Sequence, residues 1–249
     1  MILREFDDKT GMAKAAADEA AQLIREAIAA RGHARIVAAT GSSQIEFLES
    51  LATAPDIGWN QVELFHLDEY IGLAGNHPAS FQHYIRERIL ARVPVGRAWL
   101  LDGAADPEEE CRRVGEAIAA APVDVAFAGI GENGHLAFND PPADFDTERP
   151  FIVVDLAERG RQQQVGGGWF ASLEEVPRTA ITMSIRQILK SRAILCLASG
   201  VRKADAVKLC LDGDIGPMAP ASALRLHENA RVFLDRQAAA FLQGDRLSA

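Results

Sequence analysis

The segment Val123-Asp124-Val125-Ala126-Phe127-Ala128-Gly129-Ile130-Gly131-Glu132-Asn133-Gly134-His135-Leu136-Ala137-Phe138-Asn139-Asp140-Pro141-Pro142 decides how this chain is read. Its first part, Val123 to Ile130, is an apolar run of strand length, suited to burial on both faces of a parallel sheet. The glycines that close it permit a sharp turn and the close approach of a ligand. His135 sits on that turn, and Asp140 follows five residues later. In an open α/β sheet, ligands bind outside the C-terminal ends of the strands. An imidazole and a carboxylate at such an edge suit proton transfer.

Outward from this segment, helical and strand patterns alternate. Residues 11–31 are alanine-rich with helical periodicity and stop at Gly32. Ala34-Arg35-Ile36-Val37-Ala38-Ala39 reads as a strand, Thr40-Gly41-Ser42-Ser43 as a turn, and Ile45 to Leu51 as a helix. Val62-Glu63-Leu64-Phe65-His66-Leu67 is the next strand and runs into Asp68-Glu69-Tyr70. Helices are expected near 78–91 and 106–121, with a short strand at Ala98-Trp99-Leu100-Leu101 between them. Beyond the quoted segment come Phe151–Leu156, a helix near 158–165, the segment at 180–183 and a helix ending near Ser191. An apolar strand at 193–198, a helix ending near Leu211, a short helix at 220–226 and a strand at 231–234 complete the pattern. Strands spaced by helices, several apolar on both faces, predict an α/β fold with a parallel sheet covered by helices on both faces. No linker interrupts the pattern, so a single domain over 1–249 is expected. The charged stretch at 140–175, with Gly160, Gly166, Gly167 and Gly168, is expected to form a lid or insertion.

Composition narrows the class of function. The formal net charge of −9 argues against nucleic acid as a partner, because phosphate backbones need a basic face. It leaves open a small phosphorylated ligand, which feels only the local field of a cleft. No apolar run reaches a membrane span, and Met1 to Asp8 lacks the layout of a signal peptide. Cys111, Cys196 and Cys210 are odd in number and show no CxxC spacing. A soluble chain in the reducing cytoplasm is therefore expected.

If the sheet is parallel, four strand ends carry the polar residues that matter. Gly41, Ser42 and Ser43 at the first turn could cradle a phosphate with backbone N–H groups and hydroxyls, or simply cap the next helix. His66, Asp68 and Glu69 close a core strand, and acids there are costly to bury without a reason. If the strand continues, alternation places His66 and Asp68 on one face and Glu69 on the other. A metal reading of those three lacks a second ligand cluster. His135 is the proton-transfer candidate, with Asn133 and Asp140 beside it to fix its tautomer. Lys203, expected in the first turn of the helix after Ser199-Gly200, is unfavourable against the helix dipole unless an anion is near. Arg202 is a weaker candidate for the same anion.

These residues carry a resemblance. Asp68-Glu69-Tyr70-Ile71-Gly72-Leu73, His77-Pro78-Ala79-Ser80-Phe81 and Gly129 to Pro141 closely resemble the glucosamine-6-phosphate deaminase (isomerase) family. Val176 to Thr182 and Gly200 to Ala204 extend the match over nearly the whole chain. The resemblance implies a Rossmann-like fold, assembly as hexamers or smaller oligomers, and no organic cofactor. It implies conversion of glucosamine 6-phosphate and water to fructose 6-phosphate and ammonia. By position, Asp68 would be the base that moves the C2 proton to C1, and His135 would open the pyranose ring. Asp140 stands where the family has a supporting glutamate, and Asn133 where it usually has an aspartate. Gly41, Ser42, Ser43 and Lys203 would hold the phosphate. The family arginine on the phosphate has no counterpart in Gly167-Gly168-Trp169-Phe170, leaving Arg161 or Arg178 as substitutes. A base of this kind is expected to be an ordinary carboxylate with a pKa of ~4, ionised at neutral pH.

Two other readings stand beside this one. The related 6-phosphogluconolactonases also place a Gly-His turn after a strand, followed by a run like DGHTASLFP. Here Leu136-Ala137-Phe138-Asn139-Asp140 follows the histidine. A phosphosugar sensor of the same architecture would bind without turnover.

Overall fold

The computed structural model describes residues 1–242. Seven strands form one parallel sheet: β1 (Ile2–Phe6), β2 (Ala34–Ala38), β3 (Val62–His66), β5 (Arg97–Trp99), β6 (Val125–Gly129), β9 (Ala193–Ala198) and β10 (Ala230–Asp235). Their order across the sheet is β1-β10-β9-β6-β2-β3-β5, every pairing parallel. β2 and β9 are buried along their whole length; β9 is wholly apolar, and β2 is apolar apart from Arg35, which is paired with Glu63. The chain runs outward from β2 to β3 and β5 on one side, then returns to β6 and continues to β9 and β10 on the other. The reversal between β2 and β6 is the topological switch point of the sheet.

Helices cover this sheet, and the parallel α/β class read from the sequence holds. α1 (Lys9–Arg31) starts where the Asp8 side chain accepts from the N–H of Gly11 at 2.8 Å, and it ends at Gly32. It buries Met12, Ala13, Ala16, Ala17, Ala20, Ala21, Ile24 and Ala27, a helical stripe whose small side chains let it pack closely. α2 (Ile45–Ala52) follows β2. α3 (Phe81–Ile85) continues into a π turn at Arg86–Leu90, and α4 (Pro107–Ala119) is capped by Asp106. α5 (Glu158–Gly166), α6 (Ile185–Leu189) and α7 (Ala204–Asp212) complete the set.

The short helix expected at Pro220–Leu226 is present and is of the 3₁₀ type. Two features differ from the sequence reading. Ile2–Phe6 is a strand at the sheet edge, its charged alternation having hidden it. The larger difference is a second, antiparallel sheet of order β4-β8-β7, formed by Asp68–Tyr70, Thr179–Met183 and Phe151–Asp155. The strand of His66 therefore does not continue into Asp68. At Leu67 the chain changes sheets: its N–H donates to the Ala38 carbonyl of β2, and its carbonyl accepts from Met183 at the end of β8.

That change of sheet buries two consecutive carboxylates, Asp68 and Glu69. Glu69 is fully engaged. It accepts from the N–H groups of Tyr70, Phe81 and Gln82 and from the Ser80 hydroxyl, and so closes the N-terminus of α3. Burial raises its proton affinity, and those four bonds work against the rise. Glu69→Ala strands two buried N–H donors, one part-buried N–H and the buried Ser80 hydroxyl, and should cost roughly 2–4 kcal/mol. A lowered Tm with loss of order in 68–82 by hydrogen exchange checks this; an unchanged Tm would refute it.

Candidate active site

The four strand ends singled out above belong to β9, β6, β2 and β3, four neighbours in the sheet. Their loops open at the β2–β6 reversal into a cleft of about 580 Å³. Gly41, Ser42 and Ser43, Asp68, His135 and Lys203 all line it. The turns are cross-tied. Ser43 Oγ lies 3.2 Å from Ser199 Oγ, linking the β2 loop to the β9 loop. Gln44 Nε2 donates to the Ala128 carbonyl of β6 at 2.9 Å, bridging the reversal itself. The Gly200 N–H donates to the Asp235 carboxylate at 3.0 Å. Gly41 adopts φ of +108°, which requires glycine and turns the backbone of 41–43 into the cleft.

Asp68 is 6% exposed, and its Oδ1 has no hydrogen-bond partner among the described residues. Desolvation, helped by the neighbouring Glu69 charge, pushes its carboxyl up to about 8. The expected carboxylate of pKa ~4 is thus corrected: the free acid is the main form at neutral pH. His66 lies apart from any ligand set. It is wholly buried and held neutral by desolvation, with a pKa lowered to about 3, and its Nδ1 accepts from the Leu101 N–H at 3.4 Å. Among the described residues no three His, Cys, Asp or Glu side chains cluster as metal ligands.

The His135 turn is built around its ring. Gly131 is required there, since a Cβ at that position would meet the imidazole Nε2 at 2.2 Å. His135 Nδ1 lies 3.2 Å from Asp140 Oδ1, a close contact rather than an aligned hydrogen bond. Asp140 also accepts from Asn133 Nδ2 at 2.8 Å and from the Ala157 N–H at 3.0 Å. Burial acts to raise the Asp140 carboxyl, but His135, Asn133 and Ala157 together hold it below the usual range. Asn133 Oδ1 accepts from the backbone N–H of His135 at 3.2 Å. Asn133 and Asp140 therefore stand behind His135, outside the cleft wall.

Lys203 ends a 3₁₀ turn, Val201–Lys203, immediately before α7 rather than lying in its first turn. Desolvation lowers its pKa to about 8 against the opposing pull of Glu132. Neither substitute arginine reaches the cleft. Arg161 donates to the carbonyls of Leu173 and Val176, and Arg178 is exposed away from the lining residues. Arg202 does line the cleft, with its Nε 3.4 Å from a Glu132 carboxylate oxygen. The sequence reading missed Gln44, Ser199, Glu132, Gln163 and Trp169 as lining residues. Gln163 and Trp169 come from the 140–175 stretch, and Gln163 Oε1 accepts from the Glu132 N–H at 3.0 Å. An aromatic cluster of Tyr70, Phe81, Phe138 and Phe170 anchors that stretch, and Phe81 and Phe138 themselves line the cleft.

The chain matches the family described as Glucosamine-6-phosphate isomerases/6-phosphogluconolactonase over residues 7–233. It is 36% identical over 245 residues to a glucosamine-6-phosphate deaminase of Bacillus pumilus, covering 96% of this chain and 98% of that one. It is 36% identical over 221 residues to the deaminase of Streptococcus pyogenes serotype M1, covering 88% of this chain and 92% of that one. A solved monomeric glucosamine-6-phosphate deaminase superposes with a TM-score of 0.89 at 34% identity, covering 96% and 99% of the two chains. A 6-phosphogluconolactonase from Shewanella baltica superposes with a TM-score of 0.78 at 22% identity, over 94% and 97%, a likeness of fold alone.

Lys203 is cationic below its pKa of about 8 and loses that charge as pH rises through it. Sulfate stays a dianion across this range, and Lys203→Ala measured alongside accounts for the Asp68 ionisation near the same pH. Its affinity, measured by calorimetry, should fall at least about fivefold between pH 7 and 9. A flat profile would separate Lys203 from the anion site.

Proposed function

The chain belongs to the glucosamine-6-phosphate isomerase/6-phosphogluconolactonase family, and we propose that within it the protein is a glucosamine-6-phosphate deaminase. It converts glucosamine 6-phosphate and water to fructose 6-phosphate and ammonia. The observation that carries this reading is Asp68, a buried carboxyl with an unpartnered oxygen, in the same cleft as a supported imidazole and a lysine. Burying such a group without partners is costly, and a proton-transfer role accounts for it.

In this reading Lys203 and the Gly41–Ser43 turn anchor the phosphate and set the sugar's register in the cleft. His135 carries the anomeric hydroxyl proton to the ring oxygen, which opens the pyranose to the aldehyde. Asp140 stabilises the transient imidazolium, and Asn133 orients both groups through neutral hydrogen bonds. Ionised Asp68 then takes the C2 proton while the aldehyde oxygen gains a proton released by the substrate's own ammonium, leaving an enol-type intermediate with an amine on C2. The same carboxyl returns the proton to C1. Water adds to the resulting imine at C2, the C–N bond breaks, and ammonia leaves as the ketone forms. An acid–base pKa near the working pH favours a group that must both accept and give back a proton.

All groups named come from one chain, so the chemistry needs no second copy, although the resemblance implies oligomers. α5 buries none of its residues fully, which supports reading 140–175 as the cover over bound sugar. No described helix is long and apolar enough to cross a membrane. We place the activity in the cytoplasm, where the free thiols of Cys111, Cys196 and Cys210 stay reduced. The sensor reading leaves the cost of Asp68 without a purpose. The lactonase reading has support at the level of fold.

The direct test is ammonia release from glucosamine 6-phosphate, set against acid release from 6-phosphogluconolactone. Ammonia release alone is expected; acid release alone, or neither, overturns the reading. Asp68→Asn should keep phosphosugar affinity within a few-fold and abolish C2 proton exchange in heavy water, whereas exchange at the wild-type rate would exclude Asp68 as the base. In the free enzyme Asp68 ionises near 8, so kcat/KM should climb with pH toward about 8. It should turn down beyond that point as Lys203 loses its proton. A profile flat between pH 5 and 8 would contradict the buried-acid account.

A further inference from the structure

The cleft holds one charged pair that the reaction above does not use. Arg202 and Glu132 meet across its mouth, Nε to Oε1 at 3.4 Å. Arg202 comes from the turn after β9 and Glu132 from the turn after β6, so the pair joins two adjacent strand ends. The guanidinium also reaches the end of α5, where a Cβ on Gly166 would lie 3.9 Å from an Nη atom. The Arg202 side chain is 66% exposed and that of Glu132 26%. A single, loosely exposed ion pair of this length contributes little to stability and is easily exchanged.

Charge balance gives the pair a purpose. A phosphate monoester carries close to two negative charges at neutral pH. Among the described residues lining the cleft, Arg202 and Lys203 are the side chains with a formal positive charge, and they are consecutive in sequence. Lys203 alone leaves about one charge of the ester unmatched. A guanidinium presents two parallel donors to phosphate and gains more from that geometry than from a single contact with a carboxylate. The Glu132 N–H donates to Gln163 Oε1 at 3.0 Å, which ties the backbone of this turn to α5.

We infer that Arg202 is a second phosphate ligand, held on Glu132 while the cleft is empty and transferred to the substrate phosphate on binding. Glu132 acts as an internal stand-in for that anion. The inference rests on the phosphosugar reading and deepens it. Neutral sugars cannot displace Glu132 from Arg202, so the exchange favours phosphorylated over free sugars. Glu132 also keeps an unneutralised guanidinium from collecting weak anions at the mouth.

The test uses inorganic phosphate, bound without turnover and measured by calorimetry at pH 7 on four proteins: wild type, Arg202→Ala, Glu132→Gln and the double variant. Arg202→Ala should weaken phosphate at least about tenfold, and Glu132→Gln should tighten it a few-fold. The deciding comparison is the double variant against Glu132→Gln. If Arg202 touches phosphate, the double variant is still weaker by fivefold or more. If Arg202 merely neutralises Glu132, the two bind equally, and the inference is overturned. Arg202→Lys should recover part of the affinity, having kept the charge and lost the paired donors; recovery to the wild-type value would refute the bidentate contact. Thermal melting checks that each variant folds, which the exposure of Arg202 favours. Ammonia release by the wild type is scored separately. Its absence would end the deaminase reading while leaving the phosphate comparison readable, and its presence with equal binding in the two decisive variants would end this inference alone.

Discussion

β2 and β6 lie side by side and send the chain in opposite directions across the sheet, and the cleft depends on the gap this leaves. One loop leads toward β3, the other toward β9. Nothing in the parallel ladder fills the space between them, so the loops must be tied to each other by side chains. Gln44 to Ala128 and Ser43 to Ser199 are those ties. They bring backbone amides of the Gly41–Ser43 turn, the His135 turn and the Lys203 turn around one opening. A dinucleotide-type sheet would place a ligand at the same point, which is why the fold alone does not name the substrate.

The second constraint follows from the first. At Leu67 the chain leaves the large sheet for the small one, and Asp68 and Glu69 enter a dry region together. Glu69 accepts four hydrogen bonds and becomes part of the scaffold. Asp68 faces the cleft and keeps an oxygen unpaired. Two adjacent acids thus take opposite roles because one is surrounded by donors and the other by space. A fold selected for stability alone would not retain the second arrangement.

Much of this was legible in the sequence, for physical reasons that can be named. Ala193–Ala198 throughout, and Ala34–Ala38 apart from Arg35, are apolar because both faces are covered, and that pattern is read directly. The loop residues Gly41, Ser42, Ser43, His135 and Lys203 stood out because polar groups at the ends of buried strands need a reason. The small sheet was not legible, since Asp68-Glu69-Tyr70 has no strand-like alternation of its own and its partners lie more than 80 residues away in the chain. Phe151–Asp155 carried a strand pattern without any sign of its partner. The proton affinity of Asp68 was equally hidden: the residue type suggests an ordinary acid, and only tertiary burial makes it a weak one. The failure of Arg161 and Arg178 to reach the cleft is of the same kind, because nearness in sequence to a motif says nothing about which carbonyls a guanidinium will find.

Asp68 and Lys203 share one consequence of this dry setting. Desolvation raises the acid and lowers the base, so both move toward their neutral forms near pH 8. At neutral pH Asp68 is therefore the free acid, while Lys203 still carries its charge but holds that proton less firmly than an exposed lysine. A dianionic ligand changes that balance unevenly. In the proposed binding mode it strengthens the hold of Lys203 on its proton, because an opposite charge favours the protonated form. Toward Asp68 it adds a further negative charge, and only distance along the sugar keeps the carboxyl able to ionise. A six-carbon chain with phosphate at one end and the reacting carbons at the other supplies that distance. In the proposed reaction, the length of the sugar adds to the cationic side chains in letting one small cleft hold an anion and still use an acid as a base.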